Sequence, residues 1–106
     1  MIRAEFFARN QSFCGFSVSG HAGAAPAGSD IVCAAVSSAV YLTANAITEV
    51  LKVKAKVQVQ QDGFLSLSVP EEDQESCHLF FQALWLHLSQ LSQQYPKSLK
   101  VIKTEE

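Results

Sequence analysis

The chain has 106 residues, which is enough for one compact domain and too few for two, so we expect a single domain over residues 1–106. Its formal net charge is −2 and its 8 Lys and Arg residues are spread out, which argues against direct binding of nucleic acid. Charged residues make up only 17% of the chain, against about 25% in typical globular proteins. A small chain with so few charged residues exposes apolar surface, and contact with a second copy would bury it. The composition therefore favours a homodimer.

The cysteine content and the N-terminus predict a cytoplasmic protein. Three cysteines are an odd number without CxxC spacing, which does not indicate a disulfide framework. The opening MIRAEFFARN carries charges where a signal peptide needs an apolar run. The uncharged stretch from Ile31 to Thr48 reaches the lower length limit of a membrane span, but its Ser, Thr and Asn residues favour a core helix. We therefore expect no membrane contact.

The N-terminal third predicts two strands and a loop. Residues 2–9 and 12–19 are rich in aromatic residues and in part alternate, which is typical of strands, and Asn10-Gln11 supplies a short turn between them. Residues 20–29 hold three Gly, one Pro and four Ala without periodicity, which predicts a flexible loop.

Apolar residues then recur at helical spacing from Asp30 to about Lys52, with Ser29 or Asp30 as the N-cap. The segment 56–69 reads as a hairpin around the turn Asp62-Gly63. After Pro70 an acidic opening leads into a second amphipathic helix that ends at Tyr95-Pro96.

Residues 98–103 predict a last short strand. The predicted fold is α+β in the order ββαββαβ, with a mixed or antiparallel sheet packed against two helices.

Cys33 is the strongest candidate for a nucleophile. It lies three residues into the predicted helix, where first-turn N–H groups lack intrahelical acceptors and the helix dipole stabilises a thiolate. The same N–H groups are able to hold an oxyanion during acyl transfer. The competing interpretation is a small buried cysteine in an apolar helix.

His21 lies between Gly20 and Gly23 in the predicted loop and is a candidate general base or ion-pair partner for Cys33. Asp30 either caps the helix or orients His21, and the sequence leaves both roles open. Ser37 follows Cys33 by one helical turn and either steadies the thiol or only permits close packing.

Metal and nucleotide chemistry have little support in the sequence. Cys77-His78 is not matched by a second pair at metal-ligand spacing, and His78 and His87 fall on roughly opposite faces of their helix. The glycines form neither GxGxxG nor a P-loop.

The motif GHAG at residues 20–23, followed by G-x-D-I-V-C-A-A-V-S at 28–37 and a late Tyr-Pro, resembles the Prp ribosomal-processing cysteine proteases. In that family's pattern the Cys is the nucleophile and the His its partner, which correspond to Cys33 and His21. Gly20, Asp30 and Ser37 match the motif's supporting positions. Residues 24–28, AAPAG, depart from the family by lacking bulkier or polar side chains.

The resemblance implies a specific function. Family members remove the short N-terminal extension of large-subunit ribosomal protein twenty-seven, cutting after an aromatic residue. They are α+β homodimers that need no metal and no organic cofactor. The expected active-site loop includes Gly20, Gly23, Pro26 and Gly28, and the expected partner is the peptide extension itself.

Two other functions remain open on the residues alone. One is a non-catalytic dimeric adaptor in ribosome assembly that binds peptides, and the other is a redox-sensing thiol at Cys33. The second requires a resolving cysteine, and neither Cys14 nor Cys77 is an obvious one.

Overall fold

The computed structural model describes residues 1–20, 27–61 and 64–106, with side chains from residue 31 onward in the first helix. The strands are β1 (Ile2–Arg9), β2 (Ser12–Gly20), β3 (Lys56–Val59), β4 (Leu65–Ser68) and β5 (Leu99–Glu105). The helices are α1 (Ala27–Asn45), extended by a π-helical turn at Ala46–Val50, and α2 (Gln74–Gln94), preceded by a 3₁₀ turn at Glu71–Asp73.

The five strands form one mixed sheet in the order β3-β4-β2-β1-β5. Strand β5 runs parallel to β1, and the other neighbours are antiparallel. This confirms the predicted α+β class and the order ββαββαβ.

Alternation along β1 shows which face of the sheet is covered. Ile2, Ala4, Phe6 and Ala8 are buried, whereas the residues between them are exposed or half-buried. The core cluster joins this face to the inner residues of both helices, including Val32, Val36, Phe81 and Leu84. Both helices therefore cover one face of the sheet, and within the described residues no helix covers the other, called the open face below.

The turn between β1 and β2 is the predicted two-residue turn. Asn10 and Gln11 have φ values of 56° and 69°, the pair of positive angles that a tight hairpin of type I′ requires. The predicted Asp62-Gly63 turn lies outside the described residues.

The start of α1 differs from the prediction. The helix begins at Ala27, so Ser29 and Asp30 lie inside it and neither is the N-cap, and Gly28 belongs to the helix and not to a loop. Small residues such as Ala27 and Gly28 give no apolar periodicity, so the sequence pattern does not predict the first turn of this helix.

The uncharged stretch of α1 is long and apolar enough, by length and composition, to cross a membrane over Ile31–Val50. In this fold Val32, Val36 and Val40 pack into the core beneath it. The core helix of a protein in water passes the same length and composition test, so this single stretch is weak evidence for a membrane span.

Candidate functional site

The three thiols occupy different environments, and Cys33 is the accessible one. Cys14 and Cys77 are 2% and 0% exposed, whereas Cys33 is half-buried at the edge of the core. Burial raises the pKa of both the Cys14 and the Cys77 thiols, and for Cys14 the hydrogen bond to the Glu106 carboxylate raises it further. A raised pKa keeps a thiol protonated and unreactive at neutral pH, so these two are structural.

Cys33 is the seventh residue of α1, in its second turn, and not in the first turn as predicted. The N–H groups without intrahelical acceptors are those of the first four helical residues, 27–30. Helical side chains lean toward the N-terminus of their helix, so we expect the Cys33 side chain to extend toward the turn that contains these donors. The contact between the thiol and the N-terminal donors of α1 stays a prediction.

Cys33 and Ser37 share one flank of α1. The opposite flank is identified by Ala35, Ala39 and Leu42, which line the groove between α1 and α2. At 100° per residue, Cys33 lies about 160° from Ala35 and about 180° from Leu42 around the helix. Because α2 packs over β2 and β5, the Cys33 flank of α1 points away from α2. It points toward the edge of the sheet that is formed by β4 and β3.

The predicted partners of Cys33 are placed only in part. His21, Gly23 and Pro26 lie outside the described residues. Asp30 is in the first turn of α1, with only its backbone described, and Ser37 is half-buried one turn after Cys33.

Gly20 ends β2 at the point where the chain leaves for His21. Its φ is +93°, a conformation that side chains disfavour, and a Cβ atom added there lies 2.4 Å from the Met1 carbonyl oxygen. The motif glycine is therefore required by the backbone, both for its angle and for the close approach of the first residue.

The other titratable side chains do not form a metal site. Within residues 1–20, 31–61 and 64–106, no group of three or more His, Cys, Asp or Glu side chains is placed to hold a metal ion. Cys77 lies on the buried stripe of α2, as its spacing predicted, and His87 is exposed on that helix.

A cavity of about 250 Å³ that the sequence did not reveal lies on the open face of the sheet. Its lining includes Phe7, Arg9, Cys14, Lys56 and Glu106. The sheet separates this cavity from the helical face that carries Cys33, so the two do not form one site.

A partly exposed thiol near the N-terminal end of a helix is an arrangement that a thiol-dependent hydrolase uses. The chain belongs to the family described as cysteine protease Prp, whose sequence profile matches residues 1–100, and it is therefore a cysteine protease. This confirms the family that the GHAG and DIVCAAVS motifs indicated. No curated protein matches the chain in the corresponding sequence search.

Solved structures share the fold. The structure of SMU.848 from Streptococcus mutans is 27% identical, with a TM-score of 0.85, and the match covers 100% of this chain and 96% of that one. The essential ribosomal processing protease Prp from S. aureus, with a covalently linked product peptide, is 19% identical, with a TM-score of 0.85, over 98% of this chain and 100% of that one. The same S. aureus protease with a substrate peptide is 18% identical, with the same TM-score and coverage.

Proposed function

We propose that this protein is an endopeptidase that removes the short N-terminal extension of large-subunit ribosomal protein twenty-seven, cutting after an aromatic residue. Membership of the cysteine protease Prp family supports the reaction class. The structures of the S. aureus protease, described as a ribosomal processing protease with substrate and product peptides, support the substrate class. Removal of such an extension is a step of ribosome maturation and belongs to the cytoplasm.

The observation that carries the proposal is the contrast among the three thiols. Cys14 and Cys77 are buried in the folded protein, and only Cys33 combines partial exposure with a place near a helix N-terminus. A peptidase nucleophile has to meet a carbonyl carbon in a bound chain, which a fully buried thiol is unable to do.

The proposed reaction runs through an acyl-enzyme. His21 takes the proton of the Cys33 thiol, and the sulfur attacks the carbonyl carbon of the scissile bond, which moves the π electrons onto the carbonyl oxygen. The free N–H groups of the first turn of α1 stabilise that oxyanion. Collapse of the intermediate breaks the C–N bond while His21 protonates the leaving amine, and water then attacks the thioester to release the acid and regenerate the thiol.

The remaining motif residues have supporting roles in this proposal. Asp30 orients His21 or stabilises the first turn of α1, and Ser37 steadies the thiol from one turn away. Gly20, Gly23 and Pro26 belong to the proposed active-site loop together with His21. The chemistry uses no metal and no organic cofactor, because thiol, imidazole and backbone donors supply every step.

The test is mass spectrometry of a peptide that spans the extended N-terminus of the ribosomal protein, incubated with the wild type and with Cys33→Ala. We expect one cut after an aromatic residue with the wild type and none with Cys33→Ala, and Cys77→Ala serves as the matched control that still cleaves. Cleavage by Cys33→Ala would overturn the proposal. Tight binding without cleavage by either protein would instead support the peptide-binding adaptor.

We also propose that two copies associate through the outer surface of the helices. The stretches Ile31–Thr48 and Ser76–Pro96 contain no Asp, Glu, Lys or Arg. These stretches expose five large apolar side chains: Ile31, Tyr41, Leu42, Leu79 and Leu86. An uncharged apolar surface of this kind is typical of a permanent interface between subunits.

A further inference from the structure

Strand β3 forms one edge of the sheet. Within the described residues β3 pairs with β4 alone, so the other edge of Lys56–Val59 carries backbone groups that are available to another strand. The second edge of the sheet, along β5, lies on the far side of β1 and next to α2.

The register of the hairpin identifies which backbone groups point outward from β3. The Gln60 N–H donates to the Phe64 carbonyl at 2.6 Å across the hairpin. In an antiparallel pair, residues alternate between those that bond to the partner strand and those that point away from it. Gln58 and Lys56 therefore bond inward to β4, and the N–H and C=O groups of Val57 and Val59 face the open edge.

The side chains of these two valines lie on the helical face of the sheet. Val57 is opposite Leu67 and Val59 opposite Leu65, and both leucines are buried beneath the helices. The valines themselves are 39% and 66% exposed, because α1 does not extend over the edge strand. Apolar side chains and open backbone groups therefore occur together at two alternate positions.

Cys33 and Val59 lie at the same end of the sheet. Val59 pairs with Leu65, which continues the β2–β4 register to the level of Val18, two residues before β2 ends at Gly20. The C-terminal end of α1 lies beside the chain that enters β3, because the Val53 N–H donates to the Ile47 carbonyl at 3.0 Å. Cys33 lies about 18 Å along the helix from Asn45, toward the end of β3 that carries Val59. The Cys33 flank of α1 faces the same side of the molecule as β3.

We propose that the substrate peptide binds as an added strand along the edge of β3. Its backbone pairs with the N–H and C=O groups of Val57 and Val59, and its apolar side chains pack against these two exposed valines on the face of the sheet that α1 covers. This rests on the proposed protease function, because a cysteine protease has to hold an extended peptide across its nucleophile. Addition of a strand gives affinity through the main chain, and the side-chain contacts with the two valines give selectivity.

The first test measures hydrogen exchange of the amides of Cys33→Ala with and without the extended ribosomal peptide. The proposal predicts that the peptide slows exchange of the Val57 and Val59 amides at least about tenfold and leaves those of β5 unchanged, because only pairing at the edge protects outward N–H groups. Protection along β5 without protection along β3 would overturn it.

The second test separates this proposal from the protease assignment itself. Val59→Pro removes the outward N–H at an edge position where Pro is tolerated, and Val59→Ser removes the apolar contact but keeps the N–H. We expect each change to raise KM for the peptide about fivefold to tenfold with kcat little changed, which is the effect of one lost contact of about 1 kcal/mol. The matched control is Val50→Ser, since Val50 is 76% exposed at the far end of the helix.

Unchanged KM in both Val59 variants would refute binding at the β3 edge while leaving the protease intact. Absence of cleavage by the wild type would refute the proposed function instead. Thermal unfolding of each variant shows whether the fold is retained.

Discussion

The buried amide of Gln74 on α2 donates to two carbonyls of the β1–β2 hairpin, those of Arg9 at 3.2 Å and Ser12 at 3.1 Å. These bonds hold the hairpin end against the start of α2, although 65 and 62 residues separate the partners. A buried glutamine is uncommon, and here the carbonyls on either side of the turn account for it.

Replacement of this amide tests its role in stability. Gln74→Leu leaves two backbone carbonyls without their donor, so we expect the free energy of unfolding to fall by about 1–3 kcal/mol. Urea unfolding followed by circular dichroism measures it. The control is Gln82→Leu on the exposed side of the same helix, and an equal loss in both variants would show that the hydrogen bonds contribute nothing.

Gly20 is the motif residue whose requirement is easiest to test. Gly20→Ala forces a methyl group toward the Met1 carbonyl at a backbone φ of +93°, so we expect it to cost about 1–3 kcal/mol of stability. Thermal unfolding measures the loss, with Ser19→Ala as the control next to it. An unchanged Tm for Gly20→Ala would show that the role of this glycine is not conformational.

Ionisation of a buried thiol makes the free energy of unfolding depend on pH in the alkaline range. The folded-state pKa of Cys77 is raised by burial above its ordinary value of 9.0, so the unfolded chain loses this proton first as the pH rises. The contribution of the protonated Cys77 thiol to the free energy of unfolding is present below pH 9. It is lost as the pH rises above that value, at no more than about 1.4 kcal/mol per pH unit.

Comparison of Cys77→Ala with the wild type isolates this effect. Urea unfolding between pH 8 and about pH 10.5 should show a steeper fall in stability for the wild type than for the variant, although the variant starts from a lower value. Parallel curves for the two proteins would mean that Cys77 does not ionise in the unfolded chain over this range.

The uncharged helical surface predicts how the copies associate. Leu42 is 72% exposed on α1, and Leu42→Glu places a charge in the proposed interface, so we expect the dimer to dissociate to monomers. Sedimentation equilibrium measures the mass. Ser68→Glu, on an exposed position of the edge hairpin, should remain dimeric, and a monomeric wild type would contradict the proposed interface.

The elements of this fold follow from local pattern, whereas the site depends on contacts that pattern does not encode. Alternation in β1, the Asn10-Gln11 turn and the stripe of α2 were all predictable, because each arises from residues close in sequence. The start of α1 at Ala27 was missed because small residues carry no periodic signal.

The edge position of Val57 and Val59 was also not predictable. Their alternation with polar residues is visible in KVQVQ, but which strand ends the sheet is decided by pairing between distant segments. Cys33 was predictable from the motif and from its position near a helix start. Its greater exposure than that of the other two thiols was not, because burial depends on the folded structure.

The most direct test of the central claim, that Cys33 is the nucleophile, is intact-mass spectrometry of the protein quenched with acid during turnover of the extended ribosomal peptide. We predict a mass increase equal to the acyl part of the peptide up to the cleaved bond, mapped to Cys33 by digestion and reversed by hydroxylamine. Cleavage with the adduct on another residue, or cleavage by Cys33→Ala, would contradict the account.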